Sequence, residues 1–114
     1  MNKLIFDIMS SFAVDGVEIP VEWLKYKGSS TTYIVFSDLG ETPASHSDDE
    51  CGYSTIQFDF DIYTKGNYLN ILKEVKKRLK ENGFSWVEDS PTMFEEDTGL
   101  YHKTTTWEKE NYIE

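Results

Sequence analysis

Residues 54–83 read STIQFDFDIYTKGNYLNILKEVKKRLKENG, and this stretch predicts a strand, a tight turn and a helix. Its first part alternates apolar and polar residues, with Ile56, Phe58, Phe60 and Ile62 as the apolar set. A period of two is typical of a strand that has one face in a core. After a break at residues 65–67, apolar residues recur at the helical spacing: Tyr68, Leu69, Ile71, Leu72, Val75 and Leu79. Gly83 then supplies a C-terminal cap that can adopt a positive φ.

The length and composition favour one folded domain. A chain of 114 residues with 39% hydrophobic residues can build one core, so we expect a single domain over residues 1–114. The formal net charge of −10 argues against a conventional nucleic-acid binder, which needs a basic surface to neutralise phosphates.

Cysteine usage and the N-terminus exclude several further classes. The single cysteine, Cys51, excludes an internal disulfide and a site made of several cysteines. The apolar stretch at the N-terminus is short and is interrupted by Asp7, so we predict neither a signal peptide nor a membrane segment. We also expect no cofactor, because no Gly-rich phosphate-binding loop follows a strand.

The other elements extend this order to both sides of the central stretch. Apolar residues between Leu4 and Phe12 predict a first helix of about three turns. Strands are predicted over residues 21–26 and 31–36, joined as a hairpin, over residues 84–96, where Ser90-Pro91 interrupts the strand, and over residues 100–109. The predicted order is α-β-β-β-α-β-β. We therefore predict an α+β domain with an antiparallel sheet of about four to five strands and two helices on one face.

One long segment fits no element. Residues 38–53, DLGETPASHSDDECGY, have no periodicity and many turn formers. A connection of this length in a small domain is unusual, so we expect a loop that is mobile or functional.

Several residues are candidates for catalysis or metal binding. Asp59 and Asp61 fall on the same strand face, about 7 Å apart by the strand rise, but no histidine lies near them in the sequence. The loop from His46 to Cys51 has possible metal ligands whose spacing matches neither zinc nor calcium motifs. His102 lies among threonines, where a surface or cross-strand role is expected. We predict no catalytic and no metal site, and therefore a protein that is not an enzyme.

The basic residues are concentrated on the second helix. Lys73, Lys76, Lys77 and Lys80 form one ridge beside the apolar stripe. Such lysines can simply be solvated and complement the helix dipole. They can equally contact an acidic surface, for which another copy of this chain is the nearest source. A contact between unlike patches is heterologous and closes into a ring when the rotation permits, which predicts head-to-tail self-assembly.

Several segments read together resemble a known family. They are Ile19-Pro20, residues 33–36 (YIVF), residues 57–66 (QFDFDIYTKG), residues 82–84 (NGF) and residues 95–103 (EEDTGLYHK). In this order the chain resembles the small tail-completion proteins of long-tailed bacteriophages and prophages, also called tail terminators or tail-to-head joining proteins. The resemblance spans nearly the whole chain, and its motifs are structural.

The resemblance implies a structural virion component without catalytic residues. Such a subunit assembles in the cytoplasm of the bacterial host, commonly as a hexameric ring, at the head-proximal end of the tail. Its implied partners are further copies of itself, the tail tube protein and the head connector protein. DNA would pass through the ring without specific binding, which an acidic wall favours. Candidates for that wall or for a partner surface are Asp59, Asp61, Asp48, Asp49 and Glu50.

Two alternatives remain open at this stage. A head-completion or neck protein from the same phage module would look much alike. An acidic DNA mimic that inhibits a nucleic-acid-binding protein is also possible, and it requires regularly spaced carboxylates along one surface. The carboxylates in this sequence suggest clusters in loops and at strand edges instead.

Overall fold

The computed structural model describes residues 2–43 and 53–112. It contains two helices and eight strands in the order α-β-β-β-β-β-α-β-β-β within these residues. They are α1 (Asn2–Ile8), β1 (Ala13–Val14), β2 (Val17–Glu18), β3 (Val21–Trp23), β4 (Tyr33–Pro43), β5 (Tyr53–Thr64), α2 (Leu69–Glu81), β6 (Ser85–Asp89), β7 (Met93–Glu95) and β8 (Leu100–Tyr112). The predicted α+β class is confirmed, whereas the predicted strand number and order differ in detail.

The main sheet has six strands and is antiparallel except at one edge. Its order is β3-β4-β5-β8-β6, and β7 pairs with β8 beyond the end of β6. The predicted hairpin between the first two sheet strands is wrong, because β3 and β4 are parallel. Leu24, at φ 68°, ends β3 early, and residues 24–32 then return the chain to the end of the sheet where β3 began.

The core lies between one face of this sheet and the two helices. The alternating residues Ile56, Phe58, Phe60 and Ile62 are buried, as predicted, against the buried stripe of α2: Ile71, Val75 and Leu79. Burying a side chain of this size contributes about 1.5–3 kcal/mol. Phe60→Ala would therefore leave a cavity and cost about 3–5 kcal/mol.

The first helix is shorter than predicted. It ends at Ile8, and Ser11 follows with φ 53°, which turns the chain out of the helical path. Met9 and Phe12 are nevertheless buried in the core from this non-helical segment. Asp15 and Gly16, with φ of 54° and 81°, form the turn that joins β1 to β2 as a small hairpin.

The second helix ends in the predicted way. Gly83 has φ +86°, its N–H donates to the carbonyl of Lys80, and the N–H of Phe84 donates to the carbonyl of Leu79. These two bonds form a Schellman motif, which satisfies carbonyl groups that the helix itself leaves unpaired. This helix has 13 residues, and no helix in the described ranges is long and apolar enough to cross a bilayer.

The predicted loop over residues 38–53 is partly a strand pair. β4 continues to Pro43 and β5 begins at Tyr53, and their pairing accommodates a bulge between Asp38 and Gly40. Gly40 supplies the positive φ of 123° at this bulge, and the bulge interrupts the alternation of side chains along β4. Residues 44–52, with Asp48, Asp49, Glu50 and the possible metal ligands His46 and Cys51, lie outside the described residues.

Candidate functional site

The four predicted lysines border one groove. Lys73, Lys76, Lys77 and Lys80 follow one side of α2, and β6 lies opposite them at the edge of the sheet. The space between them has a volume of about 610 Å³ and is also lined by Phe84, Ser85, Trp86 and Trp107. Trp86 keeps 57% of its surface exposed because β6 has no further strand beside it among the described residues. We call this feature the lysine groove.

Lys76 differs from the other three lysines. Its Nζ lies 2.7 Å from Asp89 Oδ2 and 4.7 Å from the centroid of the Trp86 ring. Burial acts to raise the pKa of Asp89, but hydrogen bonds from Lys76, Thr105 and Trp86 outweigh it, so this pKa is lowered. Within residues 2–43 and 53–112, Lys73, Lys77 and Lys80 make neither a hydrogen bond nor an ion pair. These three cations are therefore available to an external anionic partner.

Asp59 and Asp61 lie on the opposite face of the sheet, which the helices do not cover. They share that face, as the strand alternation predicts, because the residues between them point into the core. Thr106 Oγ1 donates to Asp59 Oδ1 at 2.5 Å, and Thr104 Oγ1 donates to Asp61 Oδ1 at the same distance. Both carboxylates are partly buried, and one oxygen of each accepts a hydrogen bond from a threonine of the neighbouring strand β8.

Strand register brings further carboxylates to this face. Residues that are directly paired across neighbouring strands point to the same side of a sheet. The registers of the six strands of the main sheet therefore align seven carboxylates, which we call the acidic face: Glu22, Asp59, Asp61, Glu88, Glu95, Glu108 and Glu110. The lysines within the described strands, Lys103 and Lys109, are paired with Ile62 and Ile56 and so lie on the helix side.

The structure also assembles a cluster that the sequence did not predict. His102 Nε2 lies 3.0 Å from Asp61 Oδ1, and His102 Nδ1 lies 3.8 Å from Glu95 Oε2. The His102 ring stacks on Tyr63 at 4.3 Å between centroids, and Tyr63 stacks on Tyr33 at 4.8 Å. Burial, followed by the charges of Asp61 and Glu95, raises the pKa of Tyr63 to about 12.

This cluster is built for cross-strand packing. Both ring nitrogens of His102 lie near carboxylates of neighbouring strands, Nε2 near Asp61 of β5 and Nδ1 near Glu95 of β7. His102 thus occupies a cross-strand position, one of the two roles expected for it. It pairs with Tyr63 in the register of β5 and β8, and a separation of 41 residues from Asp61 leaves no local signal in the sequence.

Within the described ranges, no group of three or more His, Cys, Asp or Glu side chains could hold a metal ion. Compared with protein-family models and with curated proteins, the chain matches none.

Proposed function

We propose that this chain is a ring-forming structural subunit of a phage tail. In this role, it caps the head-proximal end of the tail tube and joins the tube to the head connector. The observation that carries the proposal is the separation of charge across one sheet, with the lysine groove on the helix side and the acidic face on the bare side.

A ring gives each of these surfaces a use. A subunit that contacts its neighbours through a basic surface needs a second, acidic surface to receive it, and such a heterologous contact can close. A bare sheet face rich in carboxylates repels the phosphates of duplex DNA, so DNA slides past it without binding. Asp59 and Asp61 would then belong to the channel wall. The subunit would be a virion component, assembled in the bacterial cytoplasm and commonly hexameric.

The first test concerns the particle and its partner. The native mass and negative-stain images of the purified protein are expected to give a closed ring of about six copies. Added to polymerising tail tube protein, the ring should bind one end of each tube and shorten the tube length distribution. A protein that stays monomeric at high concentration and leaves tube length unchanged would refute the proposal.

The second test concerns the channel wall. Replacing three exposed acids of the acidic face (Glu22→Gln, Glu88→Gln, Glu110→Gln) should leave the ring intact but make it retain duplex DNA at low salt. The matched control removes three exposed acids elsewhere: Glu18→Gln, Glu96→Gln and Asp97→Asn. Equal DNA retention by both triple variants would exclude the acidic face as the wall.

Two alternative functions differ from the proposed one in the partner that the protein would bind. A head-completion or neck protein would bind the connector and leave tube length unchanged. An acidic DNA mimic is favoured by one observation, since register aligns seven carboxylates on one surface and not in loops and at strand edges as the sequence suggested. A mimic would bind a basic nucleic-acid-binding protein as a single copy, in competition with duplex DNA.

A further inference from the structure

The main sheet has two open edges at the same level. β3 pairs only with Ile34–Phe36 of β4, so residues 37–43 have no strand on that side within the described part of the chain. At the other edge, β6 likewise has no outer partner there. The registers connect Trp86 to Trp107, Trp107 to Phe58 and Phe58 to Asp38. Trp86 and Asp38 therefore mark one line across the sheet, and both lie on the helix side.

The two edges carry opposite charges beside exposed apolar residues. The β6 edge presents the unpaired Lys73, Lys77 and Lys80 of the lysine groove, together with Trp86 at 57% and Val87 at 38% exposure. The β4 edge has a smaller groove of about 260 Å³, lined in part by Trp23, Asp38, Gly40 and Glu41. Trp23 and Leu39 are 44% and 51% exposed at this edge. Exposed strand edges of this kind are templates for pairing with another chain.

The directions of the strands would allow the sheet of one copy to continue into the sheet of the next copy. β4, β5, β8 and β6 alternate in direction, so the next strand in the same sense as β4 would run antiparallel to β6. Copies joined in this way keep all helices on one side of the joined sheets and all acidic faces on the other. Each edge has one bulge, at Leu39 and at Val87, which limits indiscriminate pairing and leaves the selection of a partner to the charges.

We infer that β6 of one copy pairs antiparallel with residues 37–41 of β4 in a second copy of this chain. In this contact the lysine groove receives Asp38 and Glu41, and Trp86 packs near Trp23 of the neighbour. The inference rests on the proposed ring and specifies its subunit contact. It assigns the lysines to the neighbour's β4 edge and reserves the acidic face for the channel.

Cross-linking between isotopically distinct copies tests the contact directly. Equal amounts of ¹⁵N-labelled and unlabelled protein are mixed, allowed to exchange subunits and treated with a carbodiimide, which joins an amine to a carboxylate that touches it. Mass spectrometry should find heavy-to-light peptide pairs that link Lys73, Lys77 or Lys80 to Asp38 or Glu41. Links from these lysines to Glu22, Glu88 or Glu108 of another copy would overturn the inference, as would the absence of any heavy-to-light link.

Charge reversal provides a second, independent measurement. Lys77→Glu with Lys80→Glu makes both edges acidic, and Asp38→Lys with Glu41→Lys makes both edges basic. Each double variant should weaken its self-association at least about tenfold, because like charges then meet. A mixture of the two variants should assemble again, with the variants alternating and an even number of copies in each ring. Failure of the mixture to assemble would contradict the proposed contact.

The controls separate folding and function from the contact. Lys27→Glu with Lys65→Glu changes the net charge equally at exposed positions near the start of β4, at the other end of this strand from residues 37–41, and it should leave the oligomer unchanged. Thermal unfolding by circular dichroism checks that every variant is folded. A ring whose cross-links map elsewhere refutes this contact while the proposed function stands. The expected links without binding to tail tubes refute the function while the contact stands.

Discussion

Lys76 and Asp89 form an ion pair within the subunit, with Nζ and Oδ2 2.7 Å apart. The side chains are 33% and 19% exposed, and the Trp86 ring lies beneath the ammonium group. Lys76 therefore holds α2 against the edge strand β6, while its neighbours on the ridge remain available to a partner. Of the four lysines of the predicted ridge, Lys76 is therefore paired within the subunit, and the other three are not paired within the described residues.

This distinction predicts different effects of two similar substitutions. Lys76→Met should lower the free energy of unfolding by about 1 kcal/mol, because Asp89 loses its charged donor in a partly buried site. Lys77→Met, at an exposed position, should change it by less than about 0.5 kcal/mol. Urea denaturation at a protein concentration that keeps the chain monomeric measures both values. Equal effects would mean that the pair with Asp89 does not stabilise the subunit.

The lowered pKa of Asp89 predicts an acid dependence of stability. Because the folded-state pKa lies below the usual value, this carboxylate stabilises the fold above that usual value. The contribution is lost as the pH falls through the folded-state pKa, below about pH 4. Asp89→Asn should be less stable than the original chain near neutral pH and should lose less stability on acidification. Parallel stability curves for the two proteins would contradict this assignment.

The raised pKa of Tyr63 predicts that the stability of the fold decreases as the pH rises in the alkaline range. Its folded-state pKa of about 12 exceeds the ordinary value of 10.0, so the neutral phenol stabilises the fold fully below about pH 10. That contribution is lost as the pH rises from the ordinary value through the folded one. Ultraviolet absorbance of tyrosinate should resolve a late-titrating tyrosine that Tyr63→Phe removes. The variant should also lose less stability between these two pH values, and equal losses for the two proteins would contradict the role given to Tyr63.

Arg78 joins the end of α1 to α2. Its Nη1 donates to the carbonyls of Ile8 and Ser10, each at 3.0 Å, and its Nε donates to Glu74 at 2.8 Å. Lysine cannot reproduce this planar set of donors, so Arg78→Lys should cost about 2 kcal/mol. Hydrogen exchange should show a larger loss of protection in α1 than in β5, and Lys77→Met serves as the matched control. Equal loss throughout the chain would indicate a global effect and not this local joint.

The contribution of sequence patterns differs between local and distant features. The strand at residues 56–62, the stripe on α2 and the lysine ridge follow from periodicity, so they could be predicted from neighbouring residues alone. The parallel pairing of β3 could not, because a turn at Leu24 in an unusual conformation redirected the chain. The continuation of β4 to Pro43 was hidden by a bulge that breaks the alternation.

By itself, the sequence determined the strand, turn and helix of residues 54–83 and the positive φ at Gly83, since backbone preference and side-chain periodicity act over short distances. Only the tertiary structure decided which distant groups meet. The stacking of His102 on Tyr63, the alignment of seven carboxylates on one face and the line from Trp86 to Asp38 all depend on strand register. Register is set cooperatively by the packing of the whole core, because a shift of one residue would turn every buried side chain to the other face.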